Sequence, residues 1–86
     1  MLDRQVESAY NIDFSNLQFP MITVYKSPKD YPGMYVARVY DLQHPTNTII
    51  VKQRLEELQR DILKNTGMLF IRRFEEDDPS MVGVWV

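Results

Sequence analysis

Residues Val51–Lys64, VKQRLEELQRDILK, decide the fold. Val51, Leu55, Leu58 and Ile62 recur at spacings of four, three and four, with Leu63 beside them, and so form the apolar stripe of an α-helix. Lys52, Arg54, Glu56, Glu57, Arg60 and Asp61 fill the opposite face. A helix with one apolar face needs a surface to lie on, and the segments on both sides of this one have the composition of strands.

Immediately before it, Thr48–Val51 is a β-branched run and reads as a short strand. The alternative, a helix begun at Ile49 with Thr48 as N-cap, costs side-chain freedom at every β-branched position. The strand reading starts the helix near Lys52, where Lys52 and Arg54 have the wrong sign for the N-terminal dipole. Lys52–Glu56 and Glu56–Arg60 are helpful pairs four apart, and Gly67 in Asn65-Thr66-Gly67 suits a left-handed helix end.

Further back, Met21–Lys26 (MITVYK) and Met34–Asp41 (MYVARVYD) read as strands. The loop Ser27–Gly33 joins them, and Tyr31-Pro32-Gly33-Met34 has the Pro and Gly positions of a type II turn. Leu42–Asn47 is a second break. After the helix, Met68–Phe74 and Met81–Val86 are strands around the acidic turn Glu75–Ser80. The expected class is α+β: a small antiparallel sheet in the order β-β-β-α-β-β with one main helix packed on one face. This domain occupies residues 21–86. Residues 1–20 form an arm or short helix with Leu2, Val6, Ala9 and Tyr10 on one side, then Ile12, Phe14, Leu17 and Phe19, closed by Pro20. Met21, where the regular pattern begins, is also a candidate translation start.

Both faces of this sheet are apolar by alternation. Tyr35, Ala37 and Val39 oppose Met34, Val36, Arg38 and Tyr40; Met81, Gly83 and Trp85 oppose Val82, Val84 and Val86. One helix covers one face. The other requires the N-terminal arm, a partner, or a second copy of the chain.

Bulk composition narrows the function classes. A chain of 86 residues with 44% hydrophobic residues is one globular domain. A net charge of −2 carries no footprint for nucleic acid or a membrane surface. The absence of cysteine excludes disulfides, thiolate metal sites and thiol catalysis, and points to a cytoplasmic setting. No apolar run approaches a membrane span, and MLDRQVESAYN does not read as a secretory signal.

No catalytic, cofactor or metal signature emerges. Glu75-Glu76-Asp77-Asp78 lacks the alternating ligands and central glycine of a calcium loop and reads as a solvated turn. His44, the single histidine, sits in a polar break beside Pro45 without a recognisable nucleophile. An enzyme would have to be assembled from Glu56, Asp77 or His44. Arg72-Arg73 among Phe70, Phe74, Tyr25, Tyr35, Tyr40 and Trp85 resembles base-stacking sheets in composition, yet alternation sends the two arginines to opposite faces. The loop Lys26–Gly33 has no phosphate-binding glycine pattern.

Along Tyr31–Asp41 (YPGMYVARVYD), Pro45–Leu58 (PTNTIIVKQRLEEL) and Glu76–Val86 (EDDPSMVGVWV) the chain resembles a group of short, uncharacterised proteins of Gram-positive bacteria and their phages. The resemblance covers residues 21–86 and implies no ligand or activity. Leu55-Glu56-Glu57-Leu58 is more loosely similar to the helix of HicB-like antitoxins, although Gln43-His44-Pro45 replaces the glycine turn of that family. The expected function is a non-enzymatic protein–protein interaction module of a bacterium or mobile element, a homodimer or a partner-binding protein, with no cofactor. The alternative is a nucleic-acid-binding or antitoxin-like regulator. Trp85, Tyr40, Phe70 and Met81 are the expected interface anchors, with Glu75, Asp77 and Asp78 at the rim.

Overall fold

The apolar stripe forms helix α1, Leu55–Asn65, in a computed structural model that describes residues 2–86. The helix starts later than its periodicity suggests. Val51 and Lys52 pair with Val36 and Tyr35 of the neighbouring strand, so their backbone groups belong to the sheet. The later start reverses the expected dipole mismatch: Glu56 and Glu57 now occupy the first turn and Lys64 the last. Arg54 at the N-cap provides no side-chain cap. At the other end Thr66, not Gly67, stops the helix. Its backbone N–H (3.0 Å) and its hydroxyl (2.8 Å) both donate to the Ile62 carbonyl, and Gly67 stays out of the left-handed region.

The fold is α+β, with one helix against a six-stranded sheet. The strands are β1 (Arg4–Gln5), β2 (Pro20–Lys26), β3 (Tyr35–Asp41), β4 (His44–Lys52), β5 (Phe70–Arg72) and β6 (Met81–Trp85). Across the sheet they run β1-β4-β3-β2-β6-β5. Five are antiparallel to their neighbours, as the pattern suggested, and β1 adds a short parallel pairing to β4. Among the described residues no helix is long and apolar enough to cross a membrane.

Strand boundaries differ from the reading of the sequence, most of all at β5, where three residues, Phe70–Arg72, remain of the expected strand Met68–Phe74, and at β4. β4 has nine residues, and the expected break Leu42–Asn47 contracts to a two-residue connection between paired Asp41 and His44. Leu42 takes φ 57° there, and its N–H is held by the Phe19 carbonyl at 2.8 Å. Pro45 is tolerated because β1 reaches only Thr48 and Ile49, so no neighbour needs a donor at Pro45 on that side. The turn Tyr31–Met34 matches its expected type: the Met34 N–H donates to Tyr31 O at 3.2 Å and Gly33 has φ 77°.

The core lies between α1 and the sheet. Ile22, Val24, Ala37, Val39, Ile50 and Trp85 meet Leu58 and Ile62 there, with Ala9 from the arm. The arm is not a helix along Leu2–Tyr10. It runs through β1, a single 3₁₀ turn at Ala9–Asn11, and irregular chain to Pro20. Val6, Ile12, Phe14 and Leu17 pack against the core, whereas Leu2 and Tyr10 are exposed. Asp61 of α1 ties the arm down: its carboxylate accepts from Ser8 Oγ at 2.6 Å and from the Ala9 N–H at 2.7 Å.

Gly83 is the one glycine of the chain with no room for a side chain. A Cβ there would lie 2.5 Å from the Ile71 carbonyl oxygen and 2.5 Å from Phe70 Cζ. The Gly83→Ala variant is therefore expected to lose about 1–3 kcal/mol of stability, because backbone and a ring must both shift. Urea denaturation followed by Trp85 fluorescence measures this; an unchanged midpoint would mean that β5 yields freely.

Candidate functional site

Strand alternation places Thr23, Tyr25, Val36, Arg38, Tyr40 and Ile49 on the sheet face away from α1. This face divides into two chemically different halves.

The first half is a polar depression at the end nearest the β2–β3 loop. Val36 and Ile49 are buried there although neither belongs to the helix-side core. Arg38 stands between them and Tyr40. Its Nη1 donates to the Thr46 carbonyl at 2.8 Å, and its Nη2 lies 2.9 Å from Asp3 Oδ1. Both side chains of that ion pair are about four-fifths buried, at 21% and 18% exposure. The Tyr31 hydroxyl donates to Asp3 Oδ2 at a long 3.4 Å. Two adjoining depressions, of about 300 and 340 Å³, share Arg38 and Asp30. Tyr25, Tyr31 and Ser80 line the first, Asp3 and Tyr40 the second.

Two phenols in this half, Tyr25 and Tyr31, are harder to ionise than a free tyrosine. The Tyr25 and Tyr40 hydroxyls are 2.9 Å apart. Burial first, and the Tyr40 hydrogen bond second, push the Tyr25 phenol far above its ordinary range. Burial and the Asp3 carboxylate do the same to Tyr31 in a milder form.

The second half is apolar and open. Val84 faces Ile71, and Leu69 exchanges backbone hydrogen bonds with Val86 at 2.7 and 2.9 Å. Alternation from Trp85, whose ring faces the core, puts these four side chains on the open face. Leu69 is 73% exposed, Ile71 47% and Val86 43%. β5 pairs only with β6, so its outer edge carries free backbone groups.

The residues expected to anchor an interface are thus separated. Trp85 is buried in the core, donating from Nε1 to Gln59 Oε1 at 2.9 Å, with its ring centroid 5.2 Å from that of Phe70. Phe70 packs half-buried beside it. Tyr40 lies on the open face, and Met81 pairs with Tyr25 because a bulge in β6 interrupts the alternation that would group it with Trp85. Asp77 and Asp78 organise their own turn: Asp77 Oδ2 accepts from the Phe74 N–H at 2.7 Å, and Asp78 Oδ1 accepts the N–H and hydroxyl of Ser80. Those bonds hold the Asp78 carboxyl below its usual range. Glu75 is exposed beside them. Arg73 Nη2 donates to the Asp77 carbonyl, which leaves Arg72 as the solvent-facing member of the arginine pair.

Among the described residues no three His, Cys, Asp or Glu side chains converge as a metal site. His44 in the hairpin, Glu56 on the exposed side of α1 and Asp77 in the acidic turn line no common depression. The Asp3–Arg38–Tyr31 group was missed from the sequence. Its one local signal is a lone arginine on the alternating strand YVARVY, and nothing local marks Asp3 as its partner.

Comparison with protein-family profiles, with curated proteins and with solved structures returns no match.

The Tyr25 environment sets a pH dependence. Its folded-state pKa is raised above the ordinary value of 10.0, so its contribution to stability is whole below about pH 10 and is lost as pH climbs toward the folded value. In an ultraviolet titration one phenol should ionise only with unfolding, and Tyr25→Phe should remove that late step. Ionisation of all five tyrosines near pH 10 in the folded protein would contradict the buried pair.

Proposed function

We propose that the protein is a protein–protein interaction module without chemistry of its own, and that it pairs with a second copy through the β5 edge. One observation carries this reading: an unpaired edge strand borders a strip of exposed apolar side chains on the same sheet face. Exposed apolar patches beside open edges are characteristic of association surfaces.

A two-fold axis suits this edge. If β5 pairs antiparallel with β5 of another copy about Phe70, Leu69 of one chain lies across from Ile71 of the other. The strip then continues from sheet to sheet, and the free N–H and C=O groups of both edges are satisfied together. Trp85 and Phe70 support the interface from beneath, with Leu69 and Ile71 as its contact side chains. The exposed acidic turn that follows β5, with Glu75, lies at the margin, where like charge sets orientation and tolerance of salt. The resemblance to short proteins of Gram-positive bacteria and phages supports a bacterial or mobile-element setting. Arg72 and Arg73 do not form a joint basic platform, which favours protein contact over nucleic acid.

Light scattering during gel filtration tests the reading. The wild type should run as a dimer at about 100 μM, and Ile71→Lys or Leu69→Lys should run as a monomer with an unchanged circular dichroism spectrum. A wild-type monomer throughout this range would refute self-association.

A further inference from the structure

The polar half of the open face carries a second, independent feature. Arg38 is already arranged to receive a carboxylate. The Thr46 carbonyl fixes one guanidinium nitrogen at 2.8 Å, and the other meets a carboxylate at 2.9 Å. A neutral tyrosine hydroxyl, Tyr31, approaches the same carboxylate. Planar, fixed guanidinium forks are the preferred partner of carboxylates.

The carboxylate in place belongs to Asp3, and Asp3 is weakly secured. It precedes β1, whose ladder to β4 joins only Arg4 to Thr48 and Gln5 to Ile49, with one further bond from the Val6 N–H to Ile49 O at 2.9 Å. The arm is firmly anchored only beyond it, at Ser8 and Ala9 on Asp61. The depression beside Arg38 is about 300 Å³, enough for a small organic acid with an apolar body, and Tyr25 and Val36 offer such a body a surface.

We propose that this depression binds a small organic monocarboxylate at Arg38, and that Asp3 is a tethered competitor which the ligand displaces. Lys29 and Asp30 both line the same depression; their charges offset one another, and Asp30 repels a dianion such as phosphate about twice as strongly as a monocarboxylate. Binding would release β1 from β4 and so open the Ile49 end of the sheet. The site uses no residue of the β5 edge, so it stands or falls separately from dimer formation.

The test uses the full chain and three probes: N-acetyl-phenylalanine, its neutral amide, and inorganic phosphate, followed by nitrogen-15 NMR. The acid should perturb the Arg38 side-chain N–H and the Tyr31 amide. It should bind Asp3→Asn about tenfold more tightly than the wild type, and adding Arg38→Gln to that variant should abolish binding. In the wild type, saturating acid should accelerate hydrogen exchange at the Val6 amide, a readout that does not depend on any variant folding. Equal binding of the amide or of phosphate, an affinity unchanged by Asp3→Asn, or a Val6 amide indifferent to the acid would each overturn the proposal.

Discussion

Burial of Leu58 and Ile62 against Ile22, Val24, Ala37, Val39 and Ile50 is the contact on which the rest of the structure depends. A helix of eleven residues is marginal by itself, and this one lacks a side-chain N-cap. Each fully buried aliphatic side chain contributes about 1.5–3 kcal/mol, far more than any surface pair on the helix. The N-terminal arm depends on the same contact at one remove. Asp61 lies one residue before Ile62, so the packing that orients Ile62 also aims the Asp61 carboxylate at Ser8 and Ala9. Losing the helix would therefore release the arm, and with it the side chain that neutralises Arg38.

The sheet keeps two kinds of surface apart on one face. Over β3 and β4 the polar groups are matched: guanidinium with carboxylate, phenol with phenol, and two buried aliphatic side chains beneath them. Over β5 and β6 the side chains are aliphatic and bare. Thr23 of β2 lies between the halves, opposite Arg38 on one side and Val84 on the other. The polar half is held by directional bonds, which select a partner by its geometry and charge. The apolar half is nondirectional and gains from any partner that removes it from water.

The helix stripe, the alternating strands and the Tyr31–Met34 turn were legible because each rests on a local rule: period, alternation, or the φ demanded of one residue. The departures share a different origin. The strand expected to end at Val51 runs on to Lys52 along β3, and the helix start moves from Lys52 to Leu55 with it. Met81 and Trp85 were grouped by strict alternation, and one extra residue in β6 separated them. β1 is two residues long, too short for any periodic signal, and exists because β4 offers it an edge. The Asp3–Arg38 pair joins segments with no local relation. Tertiary pairing decides all four, and no single window of sequence names both partners.

The position of β2 bears on how the chain reaches this state. β2 is flanked by β3, which follows it at once, and by β6, the last element in chain order. The β2–β3–β4 meander can form while later residues are still being synthesised, but one edge of β2 then remains unsatisfied until β6 arrives. During that interval Ile22 and Val24 lack the cover of Trp85, and an open strand edge faces other nascent chains. Insertion of β6 between β2 and β5 is thus a late, long-range closing step, and the rate of that step sets the window in which the chain is exposed to misassembly.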